Sequence, residues 1–189
     1  DLECLAAADA LRGLAGHRHR AWWQVSGTEP PLPLFATPYF PEAEPLLRRP
    51  TEGSQIRADY ASTGLSLRRH PLALLRKRLM ARGIRKASEL RALSNGSLAR
   101  AAGLVLVRQR PGSASGVIFL TLEDESGTAN IVVWPKVAEA QRQALLKARL
   151  LAVTGTIQQE SGVLHLIAGR LEDLTSWLGE LEAGSRDFH

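Results

Sequence analysis

The chain has 189 residues, 44% of them hydrophobic and 23% charged, with a formal net charge of +5. That is enough for one or two domains with a real core. No apolar run approaches the roughly 18–20 residues that would span a membrane, and no signal peptide opens the chain.

Cys4 is the only cysteine. This excludes a disulfide framework and a cysteine zinc site, and fits a reducing cytoplasm. Cys4 itself is expected as a small buried residue of a helix. The charge is unevenly placed. From Arg68 to Arg110 there are twelve Lys/Arg against one acid, Glu89, for a local charge of +11, and the remaining residues carry twelve bases and eighteen acids. A block this one-sided points to a polyanion-facing surface, with a solvated helix face as the plainer alternative.

In chain order, residues 2–23 have helical spacing, with Leu2, Leu5, Ala8, Leu11 and Leu14 three or four apart and an interruption at Gly16. His17 and His19, two apart, fall on different sides of a helix and do not make a metal site. Trp22 and Trp23 read as packing anchors for a domain outside this chain. Residues 26–54 form a linker, since seven of the ten prolines fall between Pro30 and Pro50 and proline forbids a helix or central strand there.

Residues 55–98 return to helix. After a short segment over Ser54–Gly64, HPLALLRKRLMARG is punctuated by Pro71 at its first turn and Gly83 just past its end. Leu72, Leu75 and Leu79 share one face, while Arg76, Lys77, Arg78 and Arg82 cover much of the rest. The apolar face has no Trp or Phe, which disfavours a membrane surface. A second helix over Lys86–Leu93, with Ser88 as its cap, ends at Asn95–Gly96.

Alternating and β-branched runs then predict strands over Ala102–Gln109, Val117–Leu122, Thr128–Trp134, Leu150–Ile157 and Val163–Ala168. They are separated by the turn clusters RPGSASG, EDESG and QQESG. Helical spacing over Lys136–Lys147 falls between the third and fourth strands. The order β-β-β-α-β-β is that of an OB-fold. The expectation is therefore a mixed α+β chain, a five-stranded OB barrel over 99–170 preceded by helical segments and a Pro-rich linker, with a short helix and polar tail over 171–189. The acidic turn Glu123–Asp124–Glu125 is read as solvated, His165 as an ordinary strand residue, and Phe119 as core. Trp134, at a strand end, is open between core and base stacking.

RQRPGSASG (Arg108–Gly116), FLTLEDESG (Phe119–Gly127), NIVVWP (Asn130–Pro135), GLSLRRHPL (Gly64–Leu72) and the terminal SRDFH (Ser185–His189) resemble the C-terminal OB region of bacterial C-family DNA polymerases. Within that group they are most similar to the error-prone branch, and the resemblance runs over essentially the whole chain. It implies that residues 1–25 end the fingers/helix-hairpin-helix region, and that the parent uses two Mg²⁺ for nucleotide addition in damage-induced translesion synthesis in the bacterial cytoplasm. The absence of an initiator Met suggests a segment of a longer, or a processed, protein. The lack of a further clamp-loader-binding domain favours the error-prone branch. No catalytic residue, metal site or cofactor of its own is expected in this segment. An anticodon-binding OB domain of a tRNA synthetase would share the fold but has no counterpart of RQRPGSASG or the HPL helix.

OB domains bind single strands on the face of strands 2–3 and with the loops joining strands 1–2 and 4–5. The candidate contacts for single-stranded or primer-template DNA are Arg68, Arg69, Arg76, Lys77, Arg78, Arg108, Arg110, Ser113, Ser115 and Trp134. With few aromatics, binding is expected to be weak, salt-sensitive and independent of sequence. The competing reading is a protein-interaction module. Leu174, Trp177 and Leu178 of the tail helix would then dock Y-family-like and RecA-like partners implied by the resemblance, unless they cap the barrel. PLPLF, through Leu32, Leu34 and Phe35, resembles sliding-clamp-binding peptides, although Pro31 stands where Gln is usual; packing onto a neighbouring domain is the alternative.

Overall fold

The computed structural model describes residues 1–28, 45–113, 115–160 and 162–180. It divides into two compact units, Asp1–Arg68 and Arg69–His189. Leu32, Leu34 and Phe35, and the terminal SRDFH, lie outside the described residues.

In the first unit, the one helix expected over residues 2–23 is three short ones: α1 (Leu2–Ala7), α2 (Arg12–Ala15) and α3 (Arg18–Ser26). Asp9 at φ 59° and Gly16 at φ 81° turn the backbone left-handed and break the helical ladder. Ala6, Ala15 and Ala21 pack together. Cys4 is exposed rather than buried, because α1 turns Ala6 inward instead. Trp22 and Trp23 stay 38% and 42% exposed. The His17 ring accepts the Arg20 N–H at 3.2 Å and caps α3.

The fourth helix, α4 (Glu52–Thr63), is capped by the Thr51 hydroxyl, which accepts the Ser54 N–H at 3.2 Å. Its Asp59 holds a polar knot together. Arg18 pairs with it, Arg68 Nε lies 3.3 Å away, and the Ser66 hydroxyl donates to it at 2.6 Å. Burial favours the neutral acid. The bonds from Ser66 and Arg18, with the charges of Arg18 and Arg68, outweigh it and hold the Asp59 pKa below its ordinary value.

The second unit begins with α5 (Pro71–Ala81) and α6 (Ala87–Leu90). The barrel follows: β1 (Leu98–Gln109), β2 (Ile118–Asp124), β3 (Gly127–Val133), α7 (Pro135–Ala140), α8 (Arg142–Lys147), β4 (Leu150–Glu160), β5 (Val163–Asp173) and α9 (Ser176–Glu180). The five strands close in the order β1-β2-β3-β5-β4, with β3 and β5 parallel and the other pairs antiparallel. Leu120, Leu122, Ile131, Val133, Leu151, Val153 and Leu166 fill the interior. This is the expected OB barrel, and its closure leaves no free edge.

Two glycines permit that closure. In β1, residues 98–104 pair with β4 and 104–109 with β2, across a bulge between Val105 and Val107. At the crossover, a Cβ on Gly103 would sit 2.7 Å from the Glu123 carbonyl oxygen. At the β4–β5 bulge, a Cβ on Gly155 would sit 2.0 Å from that of Ile167. Only glycine lets backbones approach this closely.

Three elements differ from expectation. The helix over 136–147 breaks at Gln141, whose amide donates to the Gly169 carbonyl at 3.1 Å and accepts the Leu171 N–H at 2.7 Å. The bulged part of β5 thereby holds the break. Second, Leu171–Asp173 finish β5 instead of starting the tail helix, because β4 pairs with them as far as Leu151↔Asp173. Third, the helix after Gly83 closes at Leu90 and is capped at Lys86 rather than Ser88.

A second apolar cluster lies on the outer side of β1 and β4. Leu72, Leu75 and Leu79 of α5, with Ile84, Leu174 and Trp177, pack there on Ala102, Leu150 and Ala152. This cluster thus covers the β1–β4 side of the barrel wall.

Candidate nucleic-acid interface

Side chains alternate across a strand. Ile118, Leu120 and Leu122 of β2, and Ala129, Ile131 and Val133 of β3, pack on the barrel interior. The residues between them therefore face outward. The register lines them into two rows: Gln109, Phe119, Val132, Ile167 and Thr156, then Val107, Thr121, Asn130, His165 and Gln158. Phe119 is half-buried and lies outside the core clusters. Reading Phe119 as core is thus corrected. Its ring belongs to the outer wall, between Gln109 and Val132, and the missed signal was its alternation with Leu120. The His165 Nδ1 is buried without a hydrogen-bond partner among the described residues, beside Asn130 in the register.

The loop joining β1 and β2 borders this face. Arg110, Ser113 and Ser115 are exposed on it. Ser115 takes φ 47° and Gly116 φ 84°, so the loop closes through left-handed residues. Trp134 is 53% exposed, and its carbonyl accepts the N–H groups of Val137 and Ala138 at 3.0 and 2.9 Å, starting α7.

The other candidate residues are placed differently. Arg68 lies in the first unit, 2.6 Å from Asp9 and paired with Asp59. Arg76 is 8% exposed, with Nε 2.5 Å from Glu125 and Nη2 3.0 Å from Asp124. Burial works against its charge, but the Glu125 hydrogen bond and charge, with Asp124 and Glu89, outweigh burial and raise its pKa. Arg78 lies over the Trp177 ring, 3.6 Å from its centroid. Arg108 Nε donates to the Leu145 carbonyl at 2.8 Å and Nη2 to that of Ala148, at the end of α8. Arg69 and Lys77 are exposed near and on α5. Leu174 and Trp177 are buried, and Leu178 packs on the same cluster.

The acidic turn is not solvated. Asp124 is 4% exposed. Its Oδ2 takes Arg76 and accepts the Ala87 N–H at 2.8 Å, and its Oδ1 accepts the Ser126 N–H at 2.7 Å and hydroxyl at 2.6 Å. One carboxylate thus ties α5, the start of α6 and the β2–β3 turn together.

A family model described as an OB-fold nucleic acid binding domain matches residues 99–174. The error-prone DNA polymerase of Methylococcus capsulatus is 62% identical over 188 residues, covering 100% of this chain and 18% of the polymerase. That of Alkalilimnicola ehrlichii is 58% identical over 189 residues, with the same shares. Among solved structures, asparaginyl-tRNA synthetase from Pyrococcus horikoshii is 27% identical, covering 47% of this chain and 21% of that one, with a TM-score of 0.37. The chain spans 18% of the length of the curated relatives it matches. Over its whole length this chain is similar to one segment of the error-prone DNA polymerases, and its residues 99–174 match the OB-fold nucleic acid binding domain.

Proposed function

We propose that this chain is the accessory OB region of a bacterial, cytoplasmic error-prone DNA polymerase, and that it holds single-stranded template weakly during damage-induced translesion synthesis. The observation that carries the reading is the asymmetry of the barrel wall. Its β1–β4 side is sealed by α5, Leu174 and Trp177. The opposite face carries Phe119 in one row and the register pair Asn130 and His165 in the next. An aromatic ring flanked by polar side chains suits bases, which stack without regard to sequence.

Phosphate contacts fall to Arg110 and to the loop serines Ser113 and Ser115. Arg68 and Arg76 are occupied by acids, and Arg108 by carbonyls. Docking of Y-family-like or RecA-like proteins through Leu174, Trp177 and Leu178 is not favoured, since these side chains belong to the second core.

The two Mg²⁺ expected of the parent polymerase do not fit these residues. Among the described residues no three potential ligands gather to hold a metal ion, and Asp124 and Glu125 are bound to Arg76. The segment's part in the reaction is to position the strand.

The test is fluorescence anisotropy with labelled oligo-dT at low salt, comparing wild type with Phe119→Ala. Weaker binding by the variant is expected. Equal affinity would remove the sheet face from the account.

A further inference from the structure

A cleft of about 450 Å³ lies beside the β1–β2 loop, walled by α7 and α8. That is within the usual range for a small-molecule site, about 300–1,000 Å³. Three arginines line it, Arg108, Arg110 and Arg142, against one acid, Glu139. Arg108 is held by carbonyls. Among the described residues, Arg110 and Arg142 neither hydrogen-bond nor pair with an acid, whereas Arg18, Arg68, Arg76 and Arg82 all do.

The apolar surface of the cleft comes from Ile118, Pro135 and Leu146, and Leu146 is 53% exposed. Gly116 brings the charged and apolar parts together. A Cβ there would lie 3.4 Å from the Pro135 ring and 3.5 Å from Arg110 Nη2.

We propose that this cleft takes one nucleotide of a DNA single strand, its base against Ile118, Pro135 and Leu146 and its phosphate on Arg110 and Arg142. A guanidinium grips phosphate through a planar fork of donors. The cleft also continues the sheet face, because Gln109 lines it and is the register partner of Phe119. A strand lying across Phe119 runs off its β1 side into the cleft. This continuity favours DNA over an acidic peptide as the occupant. The inference rests on the nucleic-acid reading above and shares Arg110 with it, but adds Arg142, Ile118, Pro135 and Leu146.

The experiment is oligo-dT anisotropy over a salt series on the 189-residue chain, with Arg142→Ala, Leu146→Glu, Phe119→Ala and Arg149→Ala, each checked for native circular dichroism. Arg149 is an exposed cation that does not line the cleft. Arg142→Ala should weaken binding about tenfold, as for one hydrogen bond to a charged group. It should also lower the salt slope by about 0.7. Leu146→Glu should weaken binding as well, and Arg149→Ala should change little.

If both cleft variants bind like wild type while Phe119→Ala is weaker, the inference is overturned and the sheet reading stands. If the cleft variants are weaker and Phe119→Ala is not, the cleft stands and the sheet reading falls. An equal loss with Arg149→Ala marks diffuse attraction and overturns the cleft. No binding by wild type overturns both.

Discussion

Asp124→Ala is the sharpest probe of how the helices are fixed to the barrel. The side chain is 4% exposed and accepts four bonds: from Arg76, the Ala87 N–H, the Ser126 N–H and the Ser126 hydroxyl. Removing one partner of a buried ion pair costs about 3–5 kcal/mol. Here the loss is softened, because Glu125 keeps two bonds to Arg76 at 2.5 and 2.8 Å. Against that, the Ala87 N–H loses its acceptor in a buried place, at about 1–3 kcal/mol. The expected destabilisation is about 3–4 kcal/mol. With a urea slope of about 1–3 kcal/mol/M, the unfolding midpoint drops by one to several molar units. Urea melts followed by far-UV circular dichroism read this directly. A cost below about 0.5 kcal/mol, the ordinary value for a surface position, would refute the assignment of Asp124 as the tie between α5, α6 and the β2–β3 turn.

Other outcomes follow from the same contacts. Gly155→Ala places a Cβ 2.0 Å from a backbone oxygen and should cost at least the roughly 1–3 kcal/mol of core overpacking. Gly103→Ala, with its nearest contact at 2.7 Å, should also destabilise, and a thermal melt showing either variant as stable as wild type would contradict the closure. His70 caps α5 by accepting the Leu72 N–H at 3.2 Å, and burial, against the pull of Glu123, Glu125 and Asp124, holds its pKa below the ordinary 6.5. The unfolded chain then binds the proton more readily, so stability is intact above pH 6.5 and falls as pH drops through that value toward the folded pKa. His70→Asn, which can still cap the helix, should remove this slope from urea midpoints measured across that window; an unchanged slope would place the titration elsewhere. Phe119→Ala should raise the Kd for oligo-dT by about 5- to 150-fold if one base stacks on the ring, at about 1–3 kcal/mol per base.

The barrel was legible because period-two alternation and glycine-rich turns are local signals. Pro71 and Gly83 marked the ends of α5 for the same reason. What escaped depends on partners far along the chain. Arg76 reads as one more cation of a basic block, yet the acid that claims it lies 48 residues away. Asp124 reads as a turn acid until α6 arrives to use it as a cap. The end of β5, Leu171–Asp173, takes its conformation from pairing with β4, which outweighs its helical spacing. Phe119 was within reach of the sequence. In IFLTLED the two leucines share one parity and Phe119 has the other, which assigns its ring to the wall opposite the core.

The central question is which side of the barrel meets DNA. An amide ¹H–¹⁵N spectrum titrated with oligo-dT answers this residue by residue. Shifts concentrated at Phe119, Thr121, Asn130, Val132 and His165, with Leu75, Leu79 and Trp177 unmoved, are the predicted result. Shifts centred on α5 and α9, with the β2–β3 face silent, would contradict it.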